Sequence, residues 1–226
     1  METGGNASEP TVVLVPGVSS SYGNGWNKLW KFFLELFLIF IIEIVISLPF
    51  SIASWATGQP NTYSAVDFIG IVYSILIAAP VGYGVWYAYL KGARGEKPEV
   101  KDVFAAFKNY WNAILAYILT AAIVLIGFVL LIVPGIIFAC KLAFVPFLIV
   151  EQKMEVIEAV KTSWQMTNGH AFTVFLIYLL AIPITIAGLI CLGVGVIVSS
   201  MWISLATASL YHAVSLQRSP VTPAAV

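Results

Sequence analysis

Long apolar runs separated by short polar connections dominate the chain. A helix needs about 20 apolar residues, within a range of roughly 17 to 25, to cross the hydrocarbon of a bilayer. Six runs meet or approach that length, so the pattern predicts an all-α, polytopic membrane protein with six transmembrane helices. The predicted spans are residues 29–52, 66–90, 112–133, 134–150, 171–190 and 193–216.

The two ends of the chain differ in composition from this central part. Residues 1–25 are rich in Gly, Ser and Pro and contain no Lys or Arg, which is typical of a disordered tail and unlike a secretory signal. Residues 217–226 are expected to be a short C-terminal tail. The sequence therefore predicts one transmembrane domain over residues 26–216.

The connections between the runs are of two kinds. Three are short or uncharged and lie near residues 56–65, 133–135 and 188–195, whereas residues 91–108 and 151–170 form longer, charged connections. Short turns join neighbours that lie side by side, so we expect three helical hairpins. Proline cannot donate the helical hydrogen bond, so four spans are expected to be interrupted, at Pro49, Pro80, Pro146 and Pro183, and Pro146 breaks the short fourth span.

The cations lie on one side of this arrangement. Ten of the eleven Lys and Arg residues flank the spans at the ends away from the uncharged turns, and they are Lys28, Lys31, Lys91, Arg94, Lys97, Lys101, Lys108, Lys153, Lys161 and Arg218. Cytoplasmic loops carry such an excess. Both termini are therefore expected to be cytoplasmic.

Each charged connection contains an amphipathic segment. Apolar residues recur at helical spacing in 101–111 and again in 151–164, where Glu and Lys occupy the other face. This pattern is typical of helices on the cytoplasmic membrane surface, although a cytoplasmic extension of the next span has the same pattern. The predicted lipid-contact residues are Lys108, Trp111, Lys161 and Trp164.

These two segments also align with each other at a shift of 53 residues. DVFAAFKNYW (102–111) then lies over EVIEAVKTSW (155–164), and each is followed by two spans joined at a glycine-bearing turn. The match indicates an internal repeat of hairpins with the same orientation. Chance similarity between apolar segments is the alternative.

From residue 80 to 212 the order of features resembles a known family. The stretches PGIIFACKLAF (134–144) and EAVKTSWQMTNGH (158–170) carry most of the likeness. They are similar to uncharacterised prokaryotic integral membrane proteins related to the membrane domain of some glycerophosphoryl diester phosphodiesterases. The resemblance implies a six-helix fold in a prokaryotic cytoplasmic membrane, and it implies no activity.

Two charged residues lie within predicted spans, Glu43 in the first and Lys141 in the fourth. A charge in hydrocarbon costs about 3 kcal/mol on insertion scales and usually meets a partner or a wet cavity. Glu43 lies about fourteen and Lys141 about ten residues from the cytoplasmic end, an offset of roughly 6 Å at helical rise that two long side chains can bridge. A Glu43–Lys141 ion pair is therefore predicted, with Glu35 as the rival partner of Lys141. On one hypothesis this pair fixes the arrangement of the helices. On the other it forms part of a path for ions or protons.

Signals for catalysis or a bound cofactor are sparse. No metalloprotease, nucleophile-elbow or phosphate-loop motif occurs, so no catalytic, cofactor or metal residue is assigned. His170 and His212 lie near the inner ends of two spans and are interpreted as interfacial residues rather than haem, pigment or metal ligands. Cys140 and Cys191 lie in apolar runs and are interpreted as reduced thiols.

The amino-acid composition limits the kinds of function that the chain can have. The chain is 60% hydrophobic and 10% charged with zero net charge, so it suits a bilayer and gives no reason to expect a nucleic-acid partner. The leading hypothesis is a non-enzymatic scaffold or accessory subunit that contacts lipid or partner proteins. A small transporter or channel using the Glu43–Lys141 pair is the second, and a lipid-acting membrane enzyme is the weakest.

Overall fold

The computed structural model describes residues 15–56, 65–190 and 194–218. Within these residues the chain is helical and contains no β-strand. The α-helices are α1 Val18–Lys31, α2 Phe33–Ala56, α3 Ala65–Tyr73, α4 Ala79–Arg94, α5 Tyr110–Leu130, α6 Ile132–Leu142, α7 Val145–Glu151, α8 Val156–Met166, α9 Ala171–Ile190 and α10 Val194–Arg218. A π-helical segment, Ser74–Ala78, joins α3 to α4, and a 3-10 helix, Val100–Asn109, lies before α5.

Several helical stretches are long and apolar enough to cross a membrane. In the described part of the chain there are five, namely Phe68–Arg94, Val100–Leu130, Ile132–Glu151, Ala171–Ile190 and Gly195–Gln217. The prediction of an all-α membrane protein is confirmed at this level. Helix α2, with 24 residues, is a further long helix outside this set.

The apolar side chains divide between a packed core and an exposed surface. Tyr211, Phe144 and Phe147 are fully buried, and the Tyr211 and Phe147 rings stack with their centroids 4.6 Å apart. In contrast, Val129 is 80% exposed and Ile190 is 78% exposed at the far ends of α5 and α9. A water-soluble surface rarely carries such patches, whereas lipid covers them without cost.

Proline positions explain two irregularities. Pro80 cannot donate to the carbonyl of Leu76, and the π-helical segment lies directly before it. The Leu76 carbonyl instead accepts a 3.0 Å hydrogen bond from the hydroxyl of Tyr110. The predicted break at Pro146 is confirmed, because α6 ends at Leu142 and α7 begins three residues later. The interruptions expected at Pro49 and Pro183 are absent, because these residues lie inside the continuous helices α2 and α9.

Glycines allow close packing at two helix pairs. A Cβ on Gly127 would lie 2.9 Å from the Cα of Gly135, so α5 and α6 approach through their backbones. A Cβ on Gly188 would lie 2.7 Å from the carbonyl oxygen of Gly195, which brings α9 against α10 in the same way. Small residues at helix contacts are a common device in membranes.

The N-terminal tail is shorter than predicted. Residues 18–25, expected to be disordered, belong to α1, while residues 1–14 lie outside the described part. Tertiary contacts explain the difference. Tyr22 donates a 2.8 Å hydrogen bond to the Ile177 carbonyl, and burial raises the pKa of its phenol to about 12, so the hydroxyl remains a donor. A Cβ on Gly25 would lie 3.1 Å from the main-chain nitrogen of Ala206, so only a small residue fits against α10.

The first amphipathic segment is a 3-10 helix rather than an α-helix. Its buried residues Val103 and Ala106 are three apart, as a helix with three residues per turn requires. Glu99 and Asp102 form a reciprocal capping box at its start. Gly84 of α4 is so close that an added Cβ would lie 1.8 Å from the Val103 carbonyl oxygen.

Candidate functional site

The break in the fourth span is closed by side chains of α8. Where α6 ends, the carbonyl of Lys141 lacks a helical partner, since α7 starts anew at Val145. The buried hydroxyl of Ser163 donates to this carbonyl across 2.8 Å and accepts from the Phe144 N–H across 3.3 Å. Thr167, also buried, approaches the same carbonyl at 3.3 Å. The break is therefore a built feature with its polar groups satisfied.

The side chain of Lys141 turns toward the connection between α8 and α9. Its Nζ donates a 2.5 Å hydrogen bond to Oδ1 of Asn168 and lies 5.7 Å from the ring centroid of Trp164. No salt bridge joins Lys141 to Glu43 or to Glu35 among the described residues. The predicted ion pair is therefore wrong. The depth of a residue in the membrane does not determine which face of its helix it occupies. It also does not show how the break after Leu142 redirects the side chain of Lys141.

The two acidic residues of α2 have other surroundings. Glu35 forms a salt bridge of 3.3 Å with Lys97, which follows α4. Glu43 lines a cavity between α2, α4 and α10, together with the hydroxyl-bearing residues Tyr89 and Ser200. The cavity has a volume of about 280 Å³, and its walls are Phe40, Glu43, Ile44, Ser47, Tyr89, Ser200 and Ser204. A single carboxyl group faced by hydroxyls can exchange a proton or hold a small polar solute.

A polar cluster fixes the ends of α4, α7 and α10. Arg94 forms a salt bridge with Oε1 of Glu151, and the buried Tyr211 donates a 2.7 Å hydrogen bond to Oε2 of the same carboxylate. Gln152 in turn donates to the Tyr211 oxygen across 3.1 Å. Arg94 Nε also lies 3.4 Å from Nδ1 of His212. Each member has a partner, so the cluster holds three helices in one relative position.

Sequence reasoning missed this cluster. The sequence pattern places Glu151 on the charged face of an amphipathic segment and Arg94 among the cytoplasmic cations, and neither position indicates that the two residues meet. A usable signal was position, because Glu151 directly follows the fourth apolar run and Arg94 lies four residues after the second. We call the region around Arg94, Glu151 and Tyr211 the charged end of the bundle. Asn24 of α1 extends it through 2.9 Å hydrogen bonds to the Ala93 carbonyl and to Ser209.

The four predicted lipid-contact residues are all exposed. Trp111 is 70% exposed and Trp164 is 37% exposed, and Lys108 and Lys161 are exposed beside them. The aligned residues Ala106 and Ala159 are both fully buried, so each segment turns the same side inward. Local structure differs, because the first segment is a 3-10 helix and the second is α8.

The remaining candidate ligands do not form a recognisable centre. Among residues 15–56, 65–190 and 194–218, no group of three or more His, Cys, Asp or Glu side chains is placed to hold a metal ion. His212 faces Arg94, and His170 lines a shallow cavity with Gln217 on α10. Cys140 is a buried free thiol, while Cys191 lies outside the described residues.

Comparison with protein-family models, curated proteins and solved structures gives no match. The resemblance to the membrane domain of glycerophosphoryl diester phosphodiesterases therefore stays a prediction. The function is therefore inferred from two features of the structure: the charged end and the exposed amphipathic segments.

Proposed function

We propose that this protein is a non-enzymatic membrane scaffold or accessory subunit whose two amphipathic segments dock on the cytoplasmic lipid surface and on partner proteins. We define the interfacial surface as Phe104, Phe107, Lys108 and Trp111, together with Ile157, Lys161 and Trp164. It combines exposed aromatic rings with lysines. Aromatic rings favour the headgroup region of a membrane, and lysines favour its anionic phosphates.

The observation that carries this proposal is the row of aromatic rings along the first segment, of which Phe104, Phe107 and Trp111 are exposed. Phe104 and Phe107 have centroids 6.0 Å apart, Phe107 stacks on Tyr110 at 5.6 Å, and Tyr110 meets Trp111 at 5.5 Å. Lys108 lies among them and forms no salt bridge in the described part of the chain. Rings kept exposed beside an unpaired cation suit a lipid surface better than water.

The topology that accompanies this function has six spans in three hairpins, with both termini cytoplasmic. Helix α2 would be the sixth span, because it is long and its sequence is apolar. The internal repeat that relates the hairpins is supported by two aligned residues that make equivalent hydrogen bonds. Tyr110 and Ser163 align at the 53-residue shift, and each donates to a carbonyl that lies four or five residues before a proline in the preceding span.

A depth measurement tests the docking. Single cysteines at Lys97, Phe107, Ile157 and Ile118, in a chain without Cys140 and Cys191, would carry a fluorophore in liposomes with nitroxide lipids. We expect headgroup nitroxides to quench Phe107 and Ile157 most strongly and mid-chain nitroxides to quench Ile118. Lys97, whose side chain is 69% exposed, should show the weakest quenching. Phe107 and Ile157 behaving like Lys97 would refute docking.

A second candidate function rests on the Glu43 cavity. Its carboxyl group lies within a predicted span and forms no salt bridge in the described residues, and Tyr89 and Ser200 line the same space. Intramembrane acids commonly mark ion or solute paths. Proton or solute flux in proteoliposomes that disappears in Glu43→Gln and persists in Glu35→Gln would favour transport. No flux above empty liposomes would exclude it.

A further inference from the structure

A second cavity lies at the charged end, between the 3-10 helix and the start of the connection to α8. Its volume is about 360 Å³, within the range of small-molecule sites. Its walls are Tyr87, Lys101, Asp102, Phe104, Ala105, Lys108, Asn109, Val150, Glu151 and Lys153. Three lysines, two acids and several apolar groups thus face one space beside the interfacial surface.

The charges in this cavity do not cancel. Asp102 forms a 2.8 Å salt bridge with Lys91, and Glu151 is bound by Arg94 and Tyr211. Both acids are therefore neutralised by groups outside the lining. Lys101 has its own partner, since its Nζ lies 2.5 Å from Oε2 of Glu99.

Two cations remain without an acidic partner. Lys108 and Lys153 form no salt bridge within the described part of the chain. The cavity therefore presents an excess of two positive charges. Such a space attracts an anion rather than a cation.

The backbone at Lys153 gives an independent indication. Lys153 has φ = +51°, the single positive value among the non-glycine residues that the structure describes. This left-handed conformation favours glycine and is strained for a residue that carries a side chain. Strain kept at a cavity wall commonly accompanies a functional side chain. A glycine there would relieve the strain and lose the charge.

We propose that this cavity binds the phosphate of an anionic phospholipid headgroup, held by Lys108 and Lys153. The apolar wall at Phe104 and Val150 would contact the glycerol and the start of the acyl chains. Lysine serves as a point charge for phosphate, and no bidentate geometry is needed. The inference rests on the proposed interfacial docking, because a lipid headgroup reaches the cavity only if this surface lies at the membrane.

The experiment measures lipid retention by native mass spectrometry of the full chain purified in mild detergent. The probes are dioleoyl phosphatidylglycerol and dioleoyl phosphatidylcholine, with inorganic phosphate as a free competitor. Lys108→Gln/Lys153→Gln is the test variant. Lys31→Gln/Lys97→Gln is the matched control, since both of its lysines are exposed and neither lines the cavity nor belongs to the interfacial surface.

We expect the wild type to retain phosphatidylglycerol in preference to phosphatidylcholine. Each lysine near an anionic surface contributes about a fivefold affinity, so the test variant should lose about 25-fold and the control much less. The variant Lys153→Gly distinguishes loss of the charge from loss of stability. Its melting temperature should rise, because strain is relieved, while retention falls about fivefold. Lys153→Arg should keep retention near the wild-type level.

Three results would overturn the inference. Equal losses in the test and control variants would mean diffuse attraction to the surface, which leaves the interfacial docking intact. No preference for phosphatidylglycerol in the wild type would reject the lipid site, while the depth measurement tests docking separately. If millimolar inorganic phosphate displaces bound lipid and the protein does not prefer phosphatidylglycerol to phosphatidylcholine, the cavity is a site for free phosphate instead.

Discussion

The hydroxyl of Ser163 on α8 donates a 2.8 Å hydrogen bond to the main-chain carbonyl of Lys141, at the point where the fourth span breaks. The same oxygen accepts from the Phe144 N–H, so one side chain bonds a main-chain acceptor and a main-chain donor at the break. An amphipathic segment thereby becomes part of the transmembrane domain. The relation explains how a span interrupted at Pro146 keeps a defined shape.

Ser163→Ala tests this relation. The variant leaves the buried Phe144 N–H without its hydrogen-bond partner and removes one of the hydrogen bonds that the Lys141 carbonyl accepts. We expect a loss of about 1 to 3 kcal/mol in the free energy of unfolding. Thr185→Ala is the control, because its exposed hydroxyl bonds only the carbonyl of Ala181 in its own helix. Thermal or denaturant unfolding in detergent micelles measures both, and equal small losses would contradict the capping role.

Gly84→Ala tests the packing of the 3-10 helix on α4. The new methyl group would lie 1.8 Å from the Val103 carbonyl oxygen, so the two elements must separate. We expect a loss of about 3 kcal/mol or more. Gly82→Ala, on the same helix with nothing within 4 Å of the new Cβ, should instead gain up to about 1 kcal/mol from helix propensity. A stable Gly84→Ala variant would show that this contact is not tight.

A double-mutant cycle on Arg94→Gln and Glu151→Gln tests the polar cluster. The two side chains are only 23% and 20% exposed, and Tyr211 shares the carboxylate. We expect a coupling energy of about 1 to 3 kcal/mol. The pair Lys101–Glu99, with side chains 74% and 47% exposed, is the matched control and should couple by less than about 1 kcal/mol. Similar coupling in both pairs would argue against a structural cluster at the charged end.

A second cycle separates the observed partner of Lys141 from the predicted one. Lys141→Met should couple with Asn168→Leu by about 0.5 to 1.5 kcal/mol, because Nζ and Oδ1 form a hydrogen bond. With Glu43→Leu the losses should add within about 0.5 kcal/mol. Strong coupling to Glu43 would mean that the two charges interact after all. Unfolding of the single and double variants in detergent provides the free energies.

Elements that depend on the local pattern were predictable from the sequence. The predicted span 171–190 coincides with α9, Ala171–Ile190, and 193–216 lies close to the apolar stretch Gly195–Gln217. An apolar run of that length has few other structures to adopt. The break at Pro146 agrees with the lost N–H of proline, but Pro183 has the same property and lies in the continuous helix α9, so the residue type alone does not decide whether a helix breaks.

Features that depend on tertiary contacts were not predictable in this way. Residues 18–25 look unstructured by composition, yet Tyr22 and Asn24 make hydrogen bonds to distant helices that hold α1 in place. The 3-10 helix cannot be distinguished from an α-helix by a short apolar pattern. Its closeness to Gly84 of α4 appears only when both elements are in place.

The candidate sites divide in the same way. Exposure of Trp111 and Trp164 followed from their amphipathic segments. The Glu43–Lys141 pair is wrong, because depths that long side chains can bridge do not place two residues on facing sides of their helices. The partners of Arg94 and Lys141 come from α7 and from the connection after α8, far along the chain. Spacing within one helix carries no information about such contacts.

Two-sided cysteine labelling tests the central claim, that both amphipathic segments lie on one membrane face and the turn near Val133 on the other. Single cysteines at Lys108, Lys161 and Val133, all exposed, would be labelled with a membrane-impermeant maleimide in vesicles of known orientation. The background lacks Cys140 and Cys191. We expect Lys108→Cys and Lys161→Cys to react from the cytoplasmic side only, and Val133→Cys from the opposite side only. Reaction of Val133→Cys and Lys161→Cys from the same side would contradict the proposed topology and the docking surface built on it.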